Sequence, residues 1–328
     1  MLRIHFTADD LARTTVAAHP DLLWEILLSL NLVQSTEGEI WYGEWRRRVR
    51  RELSPNVARL LFELTPPVGY SPDFLTPAAP PEQMEDSLDR LVSAPRQQVR
   101  ADLEYLGTRQ STSPWTRALA EGNVRTMGTL GRAVDAYHRT AIAPYWQTAA
   151  RDLAAERATR RRQVKAGGIE SVLGSLTDRI RWQSPVLEIP DFADEDLYLD
   201  GRGLLLQPSY FCWQAPTKFR SGDLPPVLVY PIQHGPAIAG ELETDVVPSL
   251  GSLLGDTRAR LLEATSRAVT TGALAESFGL SFSVALRHLG VLREAGLIES
   301  RACGDVVLHQ LTRLGLELLQ RPAVGHTA

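Results

Sequence analysis

The pattern of apolar and polar positions changes period several times along the chain. Residues 2–7 alternate, which predicts a short strand. In residues 20–30, Leu23, Ile26, Leu27 and Leu30 recur at helical spacing, with Pro20 suited to a helix start and Asp21 to the positive end of the dipole. Residues 41–53 predict a second helix with a strongly basic face, and the prolines of 66–81 break the pattern into a loop. From 81 to about 173 the helical period dominates: Met84, Leu88, Leu91 and Val92 form one stripe, and Val99, Leu103 and Leu106 another. Residues 123–140 and 145–165 predict two longer helices divided near Pro144, with Gly167 and Gly168 closing the second.

Beyond that point the period shortens. Residues 179–190, 196–200, 203–206, 209–213 and 226–231 are β-like pieces joined by Gly, Pro and Asp, and Gln207-Pro208-Ser209 suggests a turn between neighbouring strands. These signals predict an α+β N-terminal domain over 1–232, mainly helical with a small antiparallel sheet. A linker is expected over 233–248, a second domain over 249–320 and a disordered tail over 321–328.

The second domain carries the clearest signal. Asp256 or Thr257 caps a helix containing Leu261 and Leu262. A threonine at 270–271 then caps a short helix with Leu274, Ala275 and Phe278 on its core face, and Gly279 suits a left-handed closing position. Ser281 caps a third helix over 282–295, ended by Gly296. Two short helices joined by a glycine-containing turn are a helix-turn-helix.

In that third helix Ala285, Leu289 and Leu292 face the core, while Phe282, Ser283, Leu286 and Arg287 face outward near the N-terminal end, the part that enters a major groove. Arg287 matches the two acceptors on guanine, and Ser283 suits a phosphate or a base. Gly290 inside the helix suggests close packing or close backbone approach. Residues 297–301 and 306–311 predict a hairpin wing with its turn at 302–305, which places Arg301 against backbone phosphate. A last helix follows from 313 to 320. The DNA-contact set is Thr271, Ser281, Phe282, Ser283, Leu286, Arg287, His288 and Arg301. His288 reads first as a half-buried helix residue rather than a metal ligand, and His309 as a surface residue of the second wing strand.

The run Leu280-Ser-Phe-Ser-Val-Ala-Leu-Arg-His-Leu-Gly-Val-Leu-Arg-Glu-Ala-Gly-Leu-Ile298 resembles the ArsR-type winged-helix repressors, over about residues 250–320. The long N-terminal extension is similar to that of actinobacterial members with a large domain of unassigned function. The resemblance implies double-stranded DNA as partner, a homodimer on an inverted-repeat operator, and repression. A small-molecule effector for the N-terminal domain is left open, and a protein-binding use of the winged helix is the alternative. Two positions depart from the family: Leu286 stands where a polar residue is frequent, and Arg287 where His is. The helix before the recognition helix, residues 271–278, has no cysteine, so the metal-thiolate switch of metal-sensing members is not expected.

Composition adds limits. The chain of 328 residues has a formal charge of −4. Eight arginines, no lysine and seven acidic residues from 249 onward leave +1 there, against −5 for residues 1–248, so DNA binding needs its cations gathered on one face. Two distant cysteines, Cys212 and Cys303, fit a reducing cytoplasm without disulfides. Cys303 reads as a wing-turn residue, and a redox thiol is the weaker alternative. No signal peptide stands out, and the apolar run 22–30 is short and interrupted by Glu25, so no membrane span is expected.

The run Arg46-Arg-Arg-Val-Arg-Arg51 reads as a solvated face paired with Glu39, Glu44 and Glu52, with an anion site or auxiliary DNA contact as the alternative. Arg160, Arg161, Arg162 and Lys165 read the same way. Tyr137, His138, Tyr145 and Trp146 on the long helices, with Trp182, Tyr210, Phe211 and Trp213 from the sheet segment, are either core or the lining of an effector pocket. No phosphate loop, nucleophile elbow or metal-spaced histidine pair is present, so neither an enzyme nor a cofactor is expected.

Overall fold

The computed structural model describes residues 1–36, 39–67, 69–77, 83–177, 180–190, 192, 194–213, 217–219, 226–232, 247–265, 269–303 and 306–319. The chain divides into two compact units, one of Met1–Glu37 with Trp45–Ile232, the other of Gly38–Glu44 with Gln233–Ala328.

The first unit begins with β1 (Leu2–His5), α1 (Ala8–Arg13) and β2 (Thr15–Val16). Helices follow: α2 (Leu22–Gln34), α3 (Glu39–Glu52, begun in the other unit), α4 (Pro55–Leu64), α5 (Met84–Val92), α6 (Arg96–Arg109), α7 (Pro114–Ala120), α8 (Val124–Tyr137) and α9 (Trp146–Leu173). Strands β3 (Arg181–Gln183), β4 (Val186–Ile189), β5 (Glu195–Tyr198), β6 (Leu205–Ser209), β7 (Thr217–Phe219) and β8 (Val227–Pro231) close it.

The small antiparallel sheet expected from the alternation is replaced by two mixed sheets. One has the order β3-β4-β1-β5, with β1 antiparallel to β4 and parallel to β5. The other has the order β2-β6-β8-β7, with β2, β6 and β8 mutually parallel and β7 antiparallel. The first sixteen residues thus supply a central strand of one sheet and an edge of the other. Leu2 and Ile4 of β1 are fully buried beside Leu187, Ile189 and Leu197.

The expected turn at 207–209 is continuous strand. Leu204 and Leu206 offer their carbonyls to Thr15 and Ala17, so even-numbered positions of β6 face β2. Pro208 faces that side beyond the last β2 pair, where its missing N–H has no ladder bond to break. Residues 210–213 form no strand, because the Tyr210 and Phe211 N–H groups turn onto the Glu25 carboxylate.

Helix α2 is capped by Asp21, whose side chain accepts from the Leu23 and Trp24 N–H groups. Its last carbonyls have no helical partners. Arg46 Nε donates to Leu32 O at 2.8 Å, and Arg50 donates to Val33 O and Ser35 O. Arg46 is buried and, with Arg50, caps the negative end of α2, which corrects the expectation of a solvated face at that position; Arg47, Arg48, Arg50 and Arg51 are exposed as expected. Arg48 and Arg51 do pair with Glu52 at 3.1 and 3.6 Å, while the side chains of Glu39 and Glu44 lie outside the described residues. Arg160 is likewise buried, held by Glu156, Gln163 and the Ser175 and Leu176 carbonyls; Arg161, Arg162 and Lys165 are exposed. Gly168 adopts φ +70° and breaks α9, which resumes to Leu173 instead of ending at the glycine pair.

The second unit contains α10 (Val247–Leu254), α11 (Asp256–Ala264), β9 (Val269–Thr270), α12 (Thr271–Ser277), α13 (Phe282–Glu294), β10 (Ile298–Cys303), β11 (Val306–Leu311) and α14 (Arg313–Leu319). The strands form an antiparallel sheet in the order β10-β11-β9. Leu261, Leu262, Leu274, Leu289, Leu292, Ile298 and Leu311 make the core. Residues 247 and 248, expected in the linker, belong to α10; the rest of the linker, the tail 321–328, Gly304 and Asp305 lie outside the described residues, as does the Cys303 side chain.

Candidate nucleic-acid interface

Local chemistry sets the turn between α12 and α13. Thr270 Oγ1 accepts from Ala273 N at 3.2 Å and caps α12. At its far end Leu280 N reaches back to Ala275 O at 2.9 Å, and Gly279 supplies the left-handed residue at φ +62° that this closure needs. Ser281 then caps α13, accepting from Val284 N, with its hydroxyl 3.3 Å from Ser283 Oγ.

The apolar spacing of α13 orients it. Ala285, Leu289 and Leu292 are fully buried against the core of the unit. Phe282 is 58% exposed and Leu286 49%, and Ser281, Ser283 and Arg287 are exposed beside them. Among the described residues no carboxylate pairs with Arg287. His288 is half-buried. One side of the helix is therefore fixed to the domain. The other presents two apolar side chains, two hydroxyls and a guanidinium at its N-terminal half.

The hairpin behind α13 pairs Arg301 with Leu308 across the strands. Arg301 is exposed and lies 3.1 Å from Glu299, which also accepts from Gln310 Nε2. A phosphate at Arg301 would compete with that ion pair.

Thr271 is not on this surface. It is buried, with Oγ1 2.7 Å from His309 Nε2, while His309 Nδ1 lies 2.8 Å from Ser300 Oγ. The expectations of a DNA-facing Thr271 and a surface His309 are both corrected by this interior link. His309 lies on the inward face of β11 with Leu311, and a buried imidazole needs partners on both ring nitrogens. Burial, with the nearby Arg293 charge, holds this imidazole below its ordinary pKa.

Among the described residues the candidate pocket side chains are engaged in packing and hydrogen bonds. Tyr137 is fully buried with its hydroxyl 2.9 Å from Ser29 Oγ, and His138 beside it is half-buried. Tyr145 lies under Arg48, 5.9 Å from ring centre to guanidinium carbon, and Trp146 is half-buried. Trp182 packs edge-on to Phe6 at 5.3 Å and donates Nε1 to Glu170. Trp213 is half-buried beyond β6, and the buried Phe211 packs on Trp45 at 5.1 Å. Tyr137 reaches α2 at Ser29, the backbone of Tyr210 and Phe211 reaches it at Glu25, and Tyr210 packs on Phe211 at 5.4 Å. A cavity of about 20 Å³ does exist, but Leu23, Ile26, Leu27, Leu61, Leu91 and Val134 line it and none of the eight candidates does.

One residue carries more than the sequence pattern suggested. Glu25 is fully buried, and its carboxylate accepts from Ser209 Oγ at 3.0 Å, Tyr210 N at 2.9 Å and Phe211 N at 3.0 Å. Burial pushes its pKa up to about 7 against the opposing pull of these donors, and burial pushes Asp21, one helical turn away, up to about 6. The signal in the sequence was a lone acid within an apolar run.

Among the described residues no cluster of three or more His, Cys, Asp or Glu is placed to hold a metal ion, and no helix is long and apolar enough to cross a membrane. A family model described as a helix-turn-helix domain matches residues 253–301, the segment from the end of α10 to Arg301 of the hairpin. No curated relative and no solved structure matches the chain.

Proposed function

We propose that the protein is a sequence-specific DNA-binding transcriptional regulator of the ArsR type. The observation that carries this reading is the two-sided character of α13, inside the segment that matches a helix-turn-helix domain. Ala285, Leu289 and Leu292 anchor the helix, and Phe282, Ser283, Leu286 and Arg287 are left free to enter a major groove. Arg287 contacts a guanine, Ser281 and Ser283 contact phosphate or a base edge, His288 supports the helix from its flank, and Arg301 touches the backbone from the hairpin.

In this reading the protein acts in the cytoplasm as a homodimer and represses from an inverted repeat, with half-sites about one helical turn apart. The N-terminal unit dimerises or senses a ligand, and no catalytic step is assigned to it. The test is a gel shift with the full-length protein on its own promoter region at several salt concentrations. Binding should weaken steeply with salt, and Arg287→Ala should cost at least fivefold in affinity. Retention of no duplex at low salt would overturn the reading and favour the protein-docking alternative.

A further inference from the structure

Gly290 has no structural employment in its own domain. It lies in the interior of α13, one turn beyond Leu286, with no left-handed φ to require a glycine. A Cβ built there meets nothing within 4 Å. An interior glycine weakens a helix relative to alanine, so this position gives up helix stability without relieving any clash inside the unit. It leaves a bare stretch of backbone open to a group that approaches the helix from outside the unit.

Gly290 extends the same exposed face as Phe282 and Leu286. These two side chains stand one turn apart, each about half exposed, at the end of the helix suited to a groove. Among base edges in the major groove, an apolar group is offered by one base alone, thymine, through its 5-methyl. Arg287 is one residue further round the helix, and its fork suits guanine. Hydroxyls and a guanidinium beside an apolar pair fit a base-pair edge better than they fit an apolar protein groove.

Resting on the DNA-binding reading above, we propose that Leu286, flanked by Phe282, selects thymine by packing on its 5-methyl group, and that bare Gly290 lets the groove wall reach the helix backbone. The bound element is then a thymine next to the guanine read by Arg287, in each half-site. Both departures from the ArsR-type pattern, at 286 and 287, fall within this reader.

The experiment begins with selection of sites from a random duplex library by the full-length protein. The best site is remade with each thymine in turn replaced by uracil, which removes only the 5-methyl. At one or two positions per half-site this should weaken wild-type binding about fourfold, the value of one buried methyl-sized group. Leu286→Ala should bind the thymine site about as weakly and should be indifferent to uracil at that position. Gly290→Ala should melt at a higher temperature yet bind every duplex less tightly.

Full tolerance of uracil at every position by a wild-type protein that still retains its selected site would overturn the proposal and leave the DNA-binding reading intact. Unaltered affinity in Gly290→Ala would overturn the close approach of the groove wall. Retention of no duplex at all would overturn both readings together.

Discussion

His309 Nε2 lies 2.7 Å from Thr271 Oγ1, so a single buried ring ties the hairpin to the start of the helix that precedes α13. Its other nitrogen holds Ser300 on the neighbouring strand. Strands β10 and β11 and helix α12 are thus joined through one imidazole.

Replacing it should loosen that joint. His309→Phe keeps the bulk but strands two hydroxyls, and should destabilise the second unit by about 2 kcal/mol. The pH dependence has a definite sign. The folded pKa is depressed, so the unfolded chain takes up a proton first, near 6.5. The contribution of the neutral ring is complete above pH 6.5 and is lost as pH falls towards the folded value. Hydrogen exchange of peptides covering 306–311, corrected for intrinsic rates, should show less protection at pH 5.5 than at 7.5, and His309→Phe should flatten that difference.

Glu25 predicts the opposite slope for the first unit. Its folded pKa is raised to about 7 from an ordinary 4.5, so its contribution is complete below pH 4.5 and drains away as pH rises through 7. Asp21, raised to about 6, acts in the same sense. Guanidinium denaturation followed by tryptophan fluorescence should give lower stability at pH 8 than at 5.5, with a shallower dependence in Glu25→Gln. Glu25→Ala leaves the Ser209 hydroxyl and two backbone N–H groups without an acceptor, and should cost about 3 kcal/mol.

The arginines of α3 separate a structural role from a DNA-contact role. Arg46 and Arg50 hold the terminal carbonyls of α2 through charged donors. Arg46→Ala should lower the stability of the first unit by about 2 kcal/mol, because a buried charged hydrogen bond is removed. Duplex affinity measured below the melting transition should stay within twofold of wild type. A large loss of affinity with unchanged stability would return this run to the role of an auxiliary DNA contact.

Much of the second unit was legible in advance because its signals are local. Capping serines and threonines, closing glycines and a 3.6-residue apolar stripe act within a few residues, so Ser281, Gly279, Ala285, Leu289 and Leu292 could be placed from spacing alone. Where the pattern failed, the deciding contact was distant in sequence. Thr271 and His309 are 38 residues apart, and nothing around either shows that they meet. Of the two threonines at 270–271, Thr270 accepts the helix N–H and leaves Thr271 to turn inward.

The first unit shows the same division more sharply. Helices α2, α3, α5, α6, α8 and α9 were readable from periodicity, and the acid at the start of α2 from its capping chemistry; α1, α4 and α7 were not expected. The sheets were not readable. Strand β1 pairs with β4 and β5 nearly two hundred residues away, in opposite orientations, and alternation in a sequence does not record which strand is the neighbour. For the aromatic residues the sequence left core and pocket lining open, because bulk alone does not say whether a ring lines a cavity or fills one.

By itself, then, the sequence determined the helix-turn-helix, its capped and anchored α13 and the outward set Phe282, Ser283, Leu286 and Arg287, because short-range hydrogen bonds and helical spacing decide these. The tertiary structure alone decided the mixed sheets, the burial of Glu25, Arg46 and His309, and the open space around Gly290. Each of those depends on which distant segment, if any, comes to lie against the residue.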